Sequence, residues 1–168
     1  VASRRASSPP PEDSARNDDA GMFRGRHDHT IDKKGRLSIP AVFRVEIQRR
    51  SERPPILTNY KDYLALYPRD DWEQIEHQLA EKSQLQPDVQ AYRRFVVGGA
   101  MECPIDSQGR ILVPPPLRDH AQLKSKVTLV GILDQIEIWD TELYENNQKQ
   151  TLARLAEIQQ SVDKGSEH

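Results

Sequence analysis

Ile31-Asp32-Lys33-Lys34-Gly35-Arg36-Leu37-Ser38-Ile39-Pro40 returns as Ile105-Asp106-Ser107-Gln108-Gly109-Arg110-Ile111-Leu112-Val113-Pro114. The offset is a constant 74 residues and continues past the proline, where Phe43 and Arg44 correspond to Leu117 and Arg118. An internal repeat sets the number of structural modules before any other feature is read. One Asp-x-x-Gly-Arg could be any turn. Two in the same frame, with like flanks, read as a duplicated functional module. Further on the offset slips to 72, so that Leu64, Leu66, Tyr67 and Trp72 correspond to Ile136, Ile138, Trp139 and Tyr144. A two-residue slip is what a difference in loop length produces.

Outward from the first turn, Arg26 to Ile31 and Arg36 to Ile39 read as strands, the second with Leu37 and Ile39 on one face. Pro40 ends that strand and suits the first turn of a helix over Ala41 to Arg50, with Phe43 and Ile47 on its buried side. Ile56 to Thr58 and Tyr63 to Tyr67 read as strands. An acidic helix then starts at Arg69-Asp70-Asp71, with the stripe Trp72, Ile75, Leu79. The second module repeats the plan: strands over Glu102 to Ile105 and Arg110 to Val113, a helix opened by Pro114-Pro115-Pro116, then strands over Val127 to Val130 and Ile136 to Trp139. Asp140-Thr141 caps the next helix. Pro87 through Val97 reads as a connecting helix stopped by Gly98-Gly99, and Leu152, Leu155, Ile158 and Val162 as the stripe of a C-terminal helix. The expected organisation is a disordered extension over 1–21, a first module over 26–70 and a helical connector over 71–98. A second module over 99–142 and a C-terminal helix with a frayed tail over 143–168 complete it.

Charge is unevenly spread along the 168 residues. Met22 to Arg53 holds nine basic residues against four acids, whereas Asp134 to His168 holds eight acids against three bases. A chain with a net charge of −2 can therefore still offer a polyanion one basic face. Cys103 is the only cysteine, which excludes a disulfide framework and a cysteine zinc site and fits a reducing cytosol. No apolar run approaches membrane-spanning length. Val1 to Gly21 lacks the apolar segment of a secretory signal, and its four acids argue against a transit peptide. With almost nothing to bury, it reads as disordered.

Asp32 and Asp106 head their turns, where a carboxylate accepts backbone N–H groups two or three residues on. Gly35 and Gly109 supply the positive φ that closes a hairpin. Both jobs are structural. A hairpin does not need arginine after the glycine, so Arg36 and Arg110 are the candidate contact residues, each oriented by its Asp. Arginine on a rigid turn suits bidentate recognition of phosphate or of guanine O6/N7. An Asp–Arg pair that only locks the hairpin is the plain alternative. Lys33 and Lys34 add phosphate-directed charge to the first turn, where the second has Ser107 and Gln108. So few cations per chain need several copies engaged at once, which argues for an oligomer.

The tandem Asp-x-x-Gly-Arg units resemble the SpoVT/AbrB-type DNA-binding module, and their duplication resembles the MraZ family of bacterial transcriptional regulators. Supporting stretches are Met22-Phe23-Arg24-Gly25, Asp32 to Pro40, Leu66-Tyr67-Pro68 before Trp72-Glu73, Gly98 to Arg110, Val130-Gly131 and Glu137-Ile138-Trp139-Asp140. The resemblance implies an α+β fold. Two pseudo-symmetric SpoVT/AbrB-like β modules would form one compact β-barrel-like core with peripheral helices, assembled into ring-like homo-oligomers. It implies a cytoplasmic, nucleoid-associated repressor with no cofactor, binding direct repeats of double-stranded DNA in its own promoter, ahead of division and cell-wall genes. Two departures stand out. Family members usually begin at Met-Phe-Arg-Gly, which makes Val1 to Gly21 an extension, and the three prolines at 114–116 are unusual.

Two other classes compete. For an enzyme, His27, Asp28 and His29 are the nearest approach to a metal site, but i, i+2 on an exposed strand without further ligands is a weak one. No Gly-rich phosphate loop, nucleophile elbow or Cys–His arrangement is present, and no small-molecule substrate is implied. An antitoxin-like or scaffold protein using the same fold mainly for protein contacts fits the long acidic helices.

Overall fold

A computed structural model of the chain describes residues 21–166. The expected disordered extension lies outside the described residues apart from Gly21, as do the last two residues of the tail. The first repeat runs through β1 (Phe23–Thr30), β2 (Arg36–Ser38), α1 (Ala41–Arg50), β3 (Ile56–Asn59) and β4 (Leu64–Tyr67). Helices α2 (Arg69–Glu81) and α3 (Pro87–Val96) come next. The second repeat gives β5 (Met101–Glu102), β6 (Arg110–Leu112), α4 (Pro115–His120), β7 (Lys126–Leu133) and β8 (Gln135–Asp140), then α5 (Thr141–Ala153) and α6 (Leu155–Gly165). Pro40 and Pro114 cannot donate to a ladder, so each ends its strand after three residues and stands before a helix. The slip in the repeat offset falls where ten-residue α1 is answered by six-residue α4.

The fold is α+β. One antiparallel sheet has the order β1-β7-β8-β4-β3-β5, and β2 pairs with β6 as a separate ribbon. Exchanging each strand for its repeat counterpart reverses this order onto itself, so the two repeats are related by a pseudo-twofold axis. The registers agree. Leu37 pairs with its own counterpart Ile111, and Ala65 with Glu137, which places both pairs on the axis. Asp28 opposite Thr128 in β1–β7 is matched by Glu102 opposite Ile56 in β5–β3. The repeats are thus interleaved: each lends its first strand to the other's second hairpin.

The expected β-barrel-like core needs correction. Among the described residues the sheet is open, with β1 and β5 as its edges. The strands that would have to bridge those edges, β2 and β6, are cut short by the prolines and pair with each other instead. They lie over the sheet with Leu37 and Ile111 at 0 % and 1 % exposure, in one core with Phe23, Phe43, Ile47, Leu117, Leu129 and Ile138. On the sheet's other face Ile56, Ala65 and Tyr67 pack with Trp72 of α2 and Val96 of α3. Two smaller differences have local causes. Strand β5 shares only Glu102 with the strand expected over Glu102 to Ile105 and starts one residue earlier, at Met101; Pro104 has no N–H to continue the ladder. The C-terminal helix is two helices, broken at Arg154 (φ −117°, ψ 12°), and its stripe is left without a core: Leu155 and Val162 are 49 % and 60 % exposed.

Candidate nucleic-acid interface

Each repeated turn is built by its aspartate. Asp32 Oδ1 accepts from the backbone N–H of Lys34 (3.0 Å) and of Arg36 (2.9 Å), and Asp106 Oδ1 from those of Gln108 (2.8 Å) and Arg110 (3.0 Å). The glycine N–H donates back to the aspartate carbonyl at 3.0 Å in both turns. Gly35 and Gly109 stand at φ +88° and +77°, where L-residues are strained. Each aspartate's second oxygen takes the arginine: Arg36 Nε donates to Asp32 Oδ2 at 2.6 Å and Arg110 Nε to Asp106 Oδ2 at 3.3 Å. The backbone N–H of the arginine, with the guanidinium and the intervening amide, holds both carboxyls below their ordinary value. The side chains are 39 % (Arg36) and 27 % (Arg110) exposed, and with Nε engaged the two Nη groups of each have no partner among the described residues. That is the fork that meets phosphate or a guanine edge.

Ribbon register brings the two arginines together. Arg36 pairs with Leu112 and Ser38 with Arg110. Side chains directly opposite in a ladder share a face, and residues two apart on a strand share it too. Arg36, Ser38, Arg110 and Leu112 therefore occupy one face, while Leu37 and Ile111 are buried on the other. As diagonal neighbours in the ladder, the two arginines spring from backbones about 7–8 Å apart. Lys33 and Lys34 are exposed at one end of this face and Ser107 and Gln108 at the other.

Two further arginines belong to the site, although nothing local in the sequence assigns them a role. Arg118, from α4, donates to the Lys33 carbonyl at 3.1 Å, and its guanidinium carbon lies 3.2 Å from where a Cβ on Gly35 would stand. Its counterpart Arg44, from α1, crosses to the other turn and lies against Gly109. Each turn is thus backed by an arginine of the opposite repeat. The only signal was that this arginine recurs in the repeat. The basic surplus of Met22 to Arg53, by contrast, is smaller on the surface than in the count. Arg26 is engaged by Asp28 and Glu145, Arg50 by Glu46 and Asp71, Arg53 by Asp70 and Glu73, and Arg49 by Glu46. His27 packs edge-on against Phe43. A cavity of about 480 Å³ between α2 and α3, lined by Arg69, Glu73, His77 and Arg93, includes no turn residue.

Comparison with known proteins bears on the whole described chain. A family model described as "MraZ protein, putative antitoxin-like" matches twice, over residues 22–95 and 96–163. A protein of Caldanaerobacter subterraneus subsp. tengcongensis named "Transcriptional regulator MraZ" is 38 % identical over 142 residues, covering 84 % of this chain and 97 % of that protein. Proteins of the same name from Syntrophobacter fumaroxidans and Desulfitobacterium hafniense are 42 % and 41 % identical, covering 73 % and 84 % of this chain and 82 % and 96 % of theirs. Two interleaved copies of one turn-and-ribbon unit, both matched by the same family model and aligned to relatives across 82 % to 97 % of their length, place the chain in the MraZ family.

Proposed function

We propose that the chain is a transcriptional regulator, not an enzyme, that binds double-stranded DNA with the exposed face of the β2–β6 ribbon. One observation carries this reading: two arginines, each clamped through Nε by an aspartate, present free Nη groups from a single solvent face. The major groove is wide enough to admit a two-stranded ribbon, and bidentate arginine–guanine contact is its commonest specific pairing. Arg36 and Arg110 are the base or phosphate contacts, Lys33 and Lys34 the phosphate contacts, and Asp32, Gly35, Asp106 and Gly109 the turn that holds them. The modules at 26–70 and 99–142 each supply one arginine on a SpoVT/AbrB-type unit. Two readers per chain give weak binding, so a ring-like homo-oligomer engaging direct repeats in its own promoter supplies the affinity. Repression of a division and cell-wall cluster, by a cytoplasmic, nucleoid-associated protein, accords with the family resemblance. The exposed stripe of α6 favours a second reading, in which the fold serves chiefly to bind protein.

Gel-shift titration of the DNA upstream of the gene tests it. Arg36→Ala with Arg110→Ala should weaken binding at least tenfold, each lost bidentate contact being worth about 1–3 kcal/mol. Lys33→Ala should do less and lower the salt slope by about one. Unchanged affinity in the double-arginine variant would remove the ribbon as the interface and leave the protein-binding reading.

A further inference from the structure

The four-residue ribbon face is symmetric in its arginines and asymmetric in everything else. Arg36 and Arg110 are repeat counterparts, and so are Ser38 and Leu112, but the second pair differ in chemistry. Leu112 is 58 % exposed, directly opposite Arg36, and beside Ile111, which is 1 % exposed. A lone exposed leucine ordinarily means little. This one lies inside a charged reading face, with its Cβ about 4.5–5.5 Å from that of the arginine it faces. An arginine that meets a guanine edge would therefore hold Leu112 against a base pair one or two steps away. In the major groove the apolar group a base pair offers is the C5-methyl of thymine. At the other end Ser38, half-buried opposite Arg110, offers a hydroxyl that donates and accepts.

We infer that Leu112 is a specificity-determining residue that packs on a thymine methyl beside the base pair read by Arg36, while Ser38 makes the polar contact at the Arg110 end. This rests on the DNA-binding reading above. Its consequence is polarity. A pseudo-twofold protein whose reading face were fully symmetric would accept a site in either direction. With leucine at one end and serine at the other, the face fits an asymmetric element in one orientation, as successive copies need if they are to engage elements that all point the same way.

The test uses the full-length protein and the DNA fragment upstream of its own coding sequence, amplified once with thymidine and once with deoxyuridine triphosphate, which lacks only the methyl. The wild type should bind the uracil fragment about fourfold more weakly for each engaged face, the factor for burying one methyl group. Leu112→Ser should bind the thymine fragment about as weakly as the wild type binds uracil DNA, and should not distinguish the two. The exchange variant Ser38→Leu with Leu112→Ser should regain the thymine preference, which a general loss of folding or a change in DNA shape would not produce. Equal factors for wild type and Leu112→Ser, or no effect of uracil on either, would overturn the inference alone. No wild-type binding to the thymine fragment would overturn the DNA-binding reading, and this inference with it.

Discussion

Asp32 receives two backbone N–H groups and a guanidinium on two oxygens, and Asp106 repeats the arrangement with a longer contact to its arginine. Both carboxylates titrate below their ordinary value of 3.8 because those donors favour the charged form. A carboxyl depressed by folding contributes stability that is fully present above its unfolded value and is lost as pH falls through the folded one. The turns should therefore be indifferent to pH near neutrality and loosen below about pH 4. Urea midpoints measured from about pH 6 to about pH 2 should fall less steeply in Asp32→Asn with Asp106→Asn, which starts lower, than in the wild type. Parallel curves would mean that the aspartates are not what acid releases. Both aspartates, both glycines and both arginines were legible in the sequence because the turn is a local object: its hydrogen bonds span two to four residues. The roles of Arg44 and Arg118 were not, since each acts on a turn of the other repeat.

At the scale of elements, the two faces of the β2–β6 ribbon do different work. Ile111 sits on the pseudo-twofold axis against Leu37, and neither has room to relax without moving both repeats. Ile111→Ala should cost about 2–5 kcal/mol in a denaturant titration, the range for a large apolar residue truncated in a packed core. The adjacent Leu112→Ala, on the solvent face, should change stability by no more than about 0.5 kcal/mol. Comparable losses at both positions would contradict the register. Most element boundaries could be read from proline, glycine and apolar periodicity, to within a few residues. The break at Arg154 could not. No proline or glycine marks it, and the stripe Leu152 to Val162 runs through it as though one helix continued.

For the whole molecule, interleaving is the main structural fact. The β1–β7 and β3–β5 ladders cross between repeats, so each half leaves edge strands and apolar surface that only the other half covers. Residues 22–95 and 96–163, produced separately, should each fail to give a folded monomer, and mixing them should restore the sheet. Circular dichroism with gel filtration would show this. A monomeric half with a cooperative melt would contradict it. Charge behaves in the same way: the surplus of Met22 to Arg53 is partly answered by Asp70, Asp71, Glu73 and Glu145, all outside that segment. A count over a segment cannot see partners that folding brings to it.

The amino-acid sequence alone determined the repeat, the two turns and their chemistry, because each is fixed by steric and hydrogen-bonding rules acting over a few residues. The tertiary structure decided that the repeats exchange strands, that the sheet stays open, and that Arg36 and Arg110 share one face beside Ser38 and Leu112. Those are matters of which strand edge pairs with which. Hydrogen-bonding edges are alike along every strand, so only burial of the combined core selects among them.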